Sequence, residues 1–310
     1  MTLTLRLRRM TWEAPGVVSL ELTDPAGAAL PRFGPGAHVD LHLPDGQVRQ
    51  YSLCGDPADR THYRVAVREV AGGRVSRALH RELRVGALLP VGVPRNNFPL
   101  VAAGRYLFVA GGIGITPLLP MMRHASRDGT PWSLLFLTRR AAEAPLLAEA
   151  RALGGEVTLH ASQEGGRFDV ATLTIPRPGT VLYCCGPEKL MLAVEAATAA
   201  WPEGSVRFEW FTARSQTDSA TAGGFEITLA QRGITLTVPP GRSVLDVLSD
   251  AGIDQPRSCE QGICGTCECA VLEGEVEHRD SILSAAERAA NTAMMTCVSR
   301  ARSARLVLDL

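Results

Sequence analysis

No charge of one sign dominates this sequence: 32 Lys and Arg stand against 32 Asp and Glu, a formal net charge of zero. That balance removes any global electrostatic attraction to nucleic acid or to an anionic membrane. Long hydrophobic runs are also missing. Stretches such as Tyr106 to Ala110 and Trp132 to Leu137 fall far short of the roughly 20 apolar residues that cross a bilayer. The opening Met1-Thr2-Leu3-Thr4-Leu5-Arg6 alternates apolar and polar residues, without the basic head and continuous apolar stretch of a secretion signal, so a cytoplasmic protein is expected. Internal repeats and low-complexity tracts are absent too. The seven histidines show no metal spacing beyond His38 and His42, and are expected to be packed or solvated.

What remains is an ordinary globular composition, 45% hydrophobic and 21% charged, in a chain of 310 residues. Such a length exceeds what one core organises, and predicts two or three domains of roughly 100 residues each. Of the eight cysteines, five fall toward the C-terminal end, between 259 and 297. In a long chain with no signal, that clustering points to a metal site in a reducing compartment rather than to disulfides.

Three patterns follow one another along the chain. From 1 to 102, short alternating stretches (Leu3 to Leu7, Val17 to Leu22, Ala37 to Leu43, Gln50 to Leu53, Tyr63 to Arg68) are separated by Pro-Gly at 35–36, Asp-Gly at 45–46 and Gly-Gly at 72–73. They predict an antiparallel β-barrel with one helix over Val75 to Leu83. From 103 to 213, the apolar strand at Tyr106 to Ala110 runs into Gly111-Gly112-Ile113-Gly114-Ile115-Thr116-Pro117 and an apolar helix, the opening of a βαβ unit. Further strands at Trp132 to Thr138, Glu156 to Ala161 and Val181 to Cys185 alternate with helical segments at 142–153 and 187–200, so an α/β domain with a parallel sheet is expected. Residues 214–223 hold almost no apolar bulk and read as a linker. Over 224–310 two strands flank the turn at Arg232-Gly233, and a helix covers Ser243 to Ala251 before the cysteines begin.

Cys259, Cys264 and Cys267 are spaced C-x4-C-x2-C, with Cys297 a distant fourth. This is the plant-type [2Fe–2S] arrangement, three thiolates on one tight loop and one brought in by the fold. A structural zinc site would pair its cysteines in two short knuckles. Cys269, two residues beyond Cys267, reads as a packed apolar side chain.

On these residues the C-terminal segment resembles a plant-type ferredoxin, a β-grasp domain. The whole chain resembles the phthalate dioxygenase reductase family, in which a flavin barrel, a nicotinamide domain and a ferredoxin follow in that order. The resemblance implies further site residues. Arg49-Gln50-Tyr51-Ser52 matches the family's R-x-Y-S, where Arg49 would neutralise the flavin phosphate, Tyr51 pack on the isoalloxazine and Ser52 lie near its reacting edge. Gly73 and Ser76 would meet the flavin phosphate at a helix start, although Arg74 and Val75 depart from the family's glycine-rich pattern. Pro94 to Phe98 looks like the segment that closes the barrel.

Gly111, Gly112, Gly114, Thr116 and Pro117 resemble the nicotinamide-binding GGxGxTP, with Thr116 a hydroxyl donor to the pyrophosphate, and Cys185-Gly186-Pro187 the C-G-P whose cysteine nears the nicotinamide. Arg139, with Arg140 after it, would face the adenosine ribose or stand in solvent. Phe211, with Trp210 as rival, would lie beside the flavin ring. Domain order implies FMN, and resemblance implies NADH, with NADPH left open. No catalytic side chain is expected, only Ser52 and Cys185 near the reacting rings. The implied function is an NAD(P)H-dependent reductase delivering electrons singly to an oxygenase component, Rieske-type or demethylase, or to a P450. The nucleotide is the other partner, and the chain is expected to act as a monomer. A pure electron carrier or redox sensor is the rival, against which the intact nucleotide motifs argue.

Overall fold

The computed structural model describes residues 1–43, 46–212 and 223–310. Asp45 of the 45–46 turn, and the predicted linker up to 222, lie outside the described residues. The chain divides into two compact units, Met1–Phe211 and Thr212–Leu310.

The first unit begins with a six-stranded antiparallel sheet: β1 (Thr2–Ala14), β2 (Val17–Thr23), β3 (His38–His42), β4 (Val48–Ser52), β5 (Tyr63–Arg68) and β6 (Leu88–Gly92), with α1 (Arg74–Arg81) between the last two. Their order is β4-β3-β6-β1-β2-β5. The two edges then meet, because Leu53 bridges Val65 and the Cys54 amide donates to Arg64 O at 2.8 Å, so the sheet closes as a barrel. Alternation puts Leu5, Leu7, Leu20, Leu22, Val39, Leu41, Val65 and Val67 into one buried core. β6 was not foreseen, because Pro90 reads against a strand. Its missing N–H costs little: Pro90 is exposed, it lies opposite Thr4 of β1, and ladder pairing with β3 is confined to Leu41 and Val91.

The same unit continues with β7 (Arg105–Gly111), α2 (Ile115–Arg127), β8 (Trp132–Thr138), α3 (Leu147–Ala152), β9 (Glu156–Ala161), α4 (Ser162–Gly165), β10 (Thr180–Cys185), α5 (Glu188–Ala197) and β11 (Val206–Glu209). All pairings are parallel, in the order β11-β10-β7-β8-β9. The chain enters at the centre, winds outward through β8 and β9, and returns on the other side of β7. Direction reverses between β7 and β10, and both strands end there at their carboxyl ends, where doubly wound sheets bind ligands.

The helix expected over 142–153 is instead a 3₁₀ turn (Ala141–Glu143) and the short α3. Pro145 is the cause: Ala144 before it is extended, as proline requires of its predecessor, and Leu146 takes a left-handed φ of 59°. Barrel and α/β sheet are knitted together. Phe98 packs edge-on against Tyr183, ring centroids 5.2 Å apart, within the core of the parallel sheet. Arg64 joins Glu13 and Glu149 at 2.8 and 2.7 Å, and Arg127 pairs with Asp56.

The second unit contains β12 (Phe225–Leu229), β13 (Ile234–Val238), α6 (Val244–Asp250), β14 (Glu268–Glu273), β15 (Val276–Glu277), α7 (Ala285–Ala290), β16 (Ala293–Met295), β17 (Arg300–Ala301) and β18 (Arg305–Leu308). The five-stranded sheet runs β13-β12-β18-β14-β16, with β15-β17 apart, and β12 and β18 are its parallel pair. Helix α6 starts where Ser243 and Asp246 form a capping box, which satisfies amides that a helix start leaves orphaned. Ile227, Leu229, Val244, Leu248, Val271, Met294, Leu306 and Leu308 form its core, and Cys269 is packed among them. Among the described residues no helix is long and apolar enough to cross a membrane.

Candidate functional site

The reversal point of the parallel sheet gathers most of the predicted residues of the first unit. Gly111 ends β7, Gly112 to Gly114 form a 3₁₀ turn, and Thr116 and Pro117 lie in the first turn of α2. Cys185 ends β10, and Pro187 caps α5. These two turns are pressed together. A Cβ on Gly114 would stand 2.1 Å from the Cys185 carbonyl oxygen, and one on Gly111 2.5 Å from Pro187 Cδ. Gly112 differs: its φ is +54°, and the nearest atom to a Cβ there is Arg68 Nη1 at 3.8 Å. Packing thus accounts for Gly111 and Gly114, whereas Gly112 leaves open space under a guanidinium. Arg68 went unnoticed in the sequence because its strand aims it across a domain boundary.

Thr116 departs from expectation. Its buried hydroxyl donates to Ile113 O at 3.0 Å, closing the glycine turn, so it is not an open donor for an incoming anion. Burial pushes the Cys185 thiol well above its ordinary range, which leaves it neutral. Arg139 is exposed after β8, while Arg140 is turned to Gln163 at 2.8 Å.

Strand β4 carries Arg49, Tyr51 and Ser52. Arg49 is exposed and donates to Val48 O at 2.8 Å. Tyr51 is half-buried, and that burial raises its pKa to about 12 against the pull of Arg49. Ser52 is buried, and its hydroxyl donates to Glu209 Oε2 at 3.3 Å. Gly73 precedes α1, and Ser76 is buried in its first turn, accepting from the Val70 amide at 3.1 Å. After β11, Trp210 is buried and Phe211 is 37% exposed, so of the two Phe211 has the accessible ring.

Glu209 belongs to Phe208-Glu209-Trp210-Phe211, which resembles the family's E-x-F ending and in which only the aromatics have a task from the sequence. Its place in register with Cys185 follows from sheet order, which the sequence does not spell out. Burial raises its carboxyl to about 8, against the Ser52 hydrogen bond that lowers it. A carboxyl raised in the folded state contributes its full stability below its ordinary 4.5 and loses it as pH rises through about 8. Glu209→Gln is therefore expected to melt at a higher temperature than wild type by a margin that grows across that window and levels off above it. Calorimetry showing a margin independent of pH would contradict this.

In the second unit the four predicted cysteines lie on the irregular segment between α6 and β14 and on the turn after β16. They meet as two pairs. A hydrogen bond from Cys259 holds Cys264 down at about 5, and one from Cys297 holds Cys267 down at about 7, while Cys259 and Cys297 are pushed up. Amides also point at sulfur: Gln261 N to Cys259 Sγ at 3.3 Å and Thr266 N to Cys264 Sγ at 3.4 Å. Two thiol pairs ringed by N–H donors fit an anionic centre of two irons, each taking two thiolates. Among the described residues no three His, Cys, Asp or Glu side chains close on a single ion.

Comparison with known proteins agrees with this division. A family described as "Oxidoreductase FAD-binding domain" matches residues 15–99, and one described as "2Fe-2S iron-sulfur cluster binding domain" matches 227–302. The chain is 43% identical to the phthalate 4,5-dioxygenase reductase subunit of Pseudomonas putida, over 99% of this chain and 96% of that one. It is 39% identical to the phthalate dioxygenase reductase of Burkholderia cepacia, over 99% and 97%. A solved phthalate dioxygenase reductase structure, described as a modular structure for electron transfer from pyridine nucleotides to [2Fe–2S], superposes with a TM-score of 0.71 at 39% identity, covering 100% of this chain and 98% of that one. An intact type IV self-sufficient cytochrome P450 monooxygenase gives a TM-score of 0.92 at 41% identity, covering all of this chain and 41% of that larger one.

Proposed function

Because the chain belongs to the phthalate dioxygenase reductase family, we propose that it is the NADH-dependent reductase of an oxygenase, with FMN on the barrel and a [2Fe–2S] cluster on Cys259, Cys264, Cys267 and Cys297. Members of this family are oxidoreductases of oxygenase systems, and this chain has their flavin domain and 2Fe–2S domain. One observation carries the reading. The barrel strand β4 reaches the reversal point of the nucleotide sheet through the Ser52–Glu209 hydrogen bond, which supports a flavin ring and a nicotinamide ring meeting there. When bound, the flavin supplies the conversion between the electron pair of a hydride and the single electrons a [2Fe–2S] cluster takes.

The chain's own residues then have distinct tasks. Arg49 offers a guanidinium to the flavin phosphate, with Gly73 and Ser76 at the start of α1. Tyr51 and the exposed Phe211 supply aromatic faces, and Ser52 fixes the edge where the rings meet. Gly112 and Arg68 admit the dinucleotide's diphosphate. Gly111, Gly114, Thr116 and Pro117 hold that turn against Gly186 and Pro187, and Cys185 sets a neutral thiol beside the nicotinamide. Arg139 stands where an adenosine ribose ends. No side chain need act as acid or base in hydride transfer, so ring alignment is the protein's contribution. All eight cysteines are free thiols, which suits the reducing cytoplasm to which we assign the chain.

The test is chemical. Flavin released from the purified protein is expected to run as FMN, and ferricyanide turnover to favour NADH. Release of FAD, or a preference for NADPH, would overturn those two assignments. The P450 likeness favours a haem acceptor as second reading, separable by coupling the reductase to a Rieske oxygenase and to a P450 in parallel.

A further inference from the structure

A second polar cluster lies behind the cysteine loop. Asp280 has a side chain with no solvent exposure. Its Oδ1 accepts from the amides of Ile282 and Leu283 at 2.9 and 2.8 Å, which fixes the strap that follows β15. Its Oδ2 has no hydrogen-bond partner among the described residues. That oxygen stands 3.8 Å from His278 Nδ1, while Arg288 Nη2 approaches Oδ1 at 3.8 Å. Burial holds His278 below its ordinary pKa, so at neutral pH it adds no charge. Arg288, 30% exposed, is shared with solvent and with the Asp280 carbonyl, to which it donates at 2.6 Å.

The strap is bound to the loop that carries the thiols. Ser281 N donates to Gly262 O at 2.8 Å, and the Gly262 amide in turn donates to the Cys297 thiol. Gly262 has a φ of +68°, and a Cβ there would lie 3.1 Å from Asp280 Cα and 2.6 Å from Val298 Cγ2. No side chain fits between strap and loop, so the Asp280 backbone lies directly against the loop. A fully buried carboxylate is less screened than its partly exposed counter-ion, so its negative charge is incompletely offset in a region of low dielectric. Reduction adds one more negative charge at the cysteines.

We propose that Asp280 is a positioning residue that holds the cysteine loop through its strap and, by its buried charge, lowers the reduction potential of the cluster, with Arg288 opposing it. The inference rests on the cluster reading above. Asp280→Asn keeps an Oδ1 acceptor for both amides and removes the charge, so the midpoint potential should rise. Arg288→Gln should lower it.

The experiment is a mediated potentiometric titration of the full chain, with the low-temperature EPR amplitude of the reduced cluster as readout. The expected effect of each variant is roughly tenfold in the equilibrium constant for reduction, about 59 mV for one electron. A cluster signal present in all three proteins, with midpoints that coincide, would overturn the proposal and leave Asp280 a turn cap. If Asp280→Asn does not retain a cluster, Arg288→Gln decides: a lowered midpoint supports the proposal and an unchanged one overturns it. Wild-type protein with no cluster signal would overturn the underlying reading, and this inference with it.

Discussion

Cys297→Ser is expected to reduce NADH-dependent cytochrome c reduction to background while ferricyanide reduction at the flavin stays close to wild type. Cys297 stands apart in sequence, on the turn after β16, yet it pairs with Cys267 through a hydrogen bond. A serine hydroxyl cannot match a thiolate as a soft ligand to iron, so the second iron would lose half of the protein's grip on it. The damage should stay local because the two units are separately compact, each with its own core. Ferricyanide takes electrons from the flavin site and reports on the first unit alone. Parallel loss of both activities would contradict this separability. Undiminished cytochrome c reduction would show that Cys297 is not a ligand.

The second large effect is expected from Gly114→Ala. The added Cβ would meet the Cys185 carbonyl oxygen at 2.1 Å, the Cys185 carbonyl carbon at 2.5 Å and the Gly186 amide at 2.9 Å. All three are backbone atoms and cannot swing aside, so the turns after β7 and β10 must part. Overpacking of this kind costs about 1–3 kcal/mol, and parting the turns disturbs the place where strand β4 arrives. NADH turnover with ferricyanide should fall through a raised KM, and the first unit should melt earlier. Gly112→Ala is the comparison for melting temperature alone, since Gly112 itself is assigned to the diphosphate. Its Cβ meets nothing closer than Arg68 Nη1 at 3.8 Å, so only the left-handed φ is penalised, by about 1–2 kcal/mol. Gly114→Ala with wild-type KM and melting temperature would remove the packing argument.

Much of this was legible because the signals are local. Strand, glycine turn and helix at 105–127 follow one another without interruption, and β8 carries the apolar run that a buried parallel strand needs. The C-x4-C-x2-C spacing fixed the three loop thiols, since a single loop's chemistry is written in consecutive residues. What stayed hidden depends on neighbours distant in sequence. Glu209 matters because β11 pairs with β10, and Arg68 because its strand aims it at Gly112. Asp280 becomes notable only once the strap folds onto Gly262. The partner of Thr116 was hidden for a related reason: a hydroxyl near a helix start reads as a donor to ligand, while in the fold it donates to a carbonyl three residues back. The broken helix before α3 was in principle readable, since Pro145 stands in plain view and its effect on Ala144 is steric.

The most direct test of electron flow from nicotinamide to thiolate-bound iron is an anaerobic titration of the purified chain with NADH, followed by visible absorption and low-temperature EPR. The account predicts bleaching of the flavin together with a rhombic signal from a reduced [2Fe–2S] cluster. A bleached flavin with no cluster signal at any NADH excess would contradict it, and the four cysteines would then have to be assigned to something other than electron transfer.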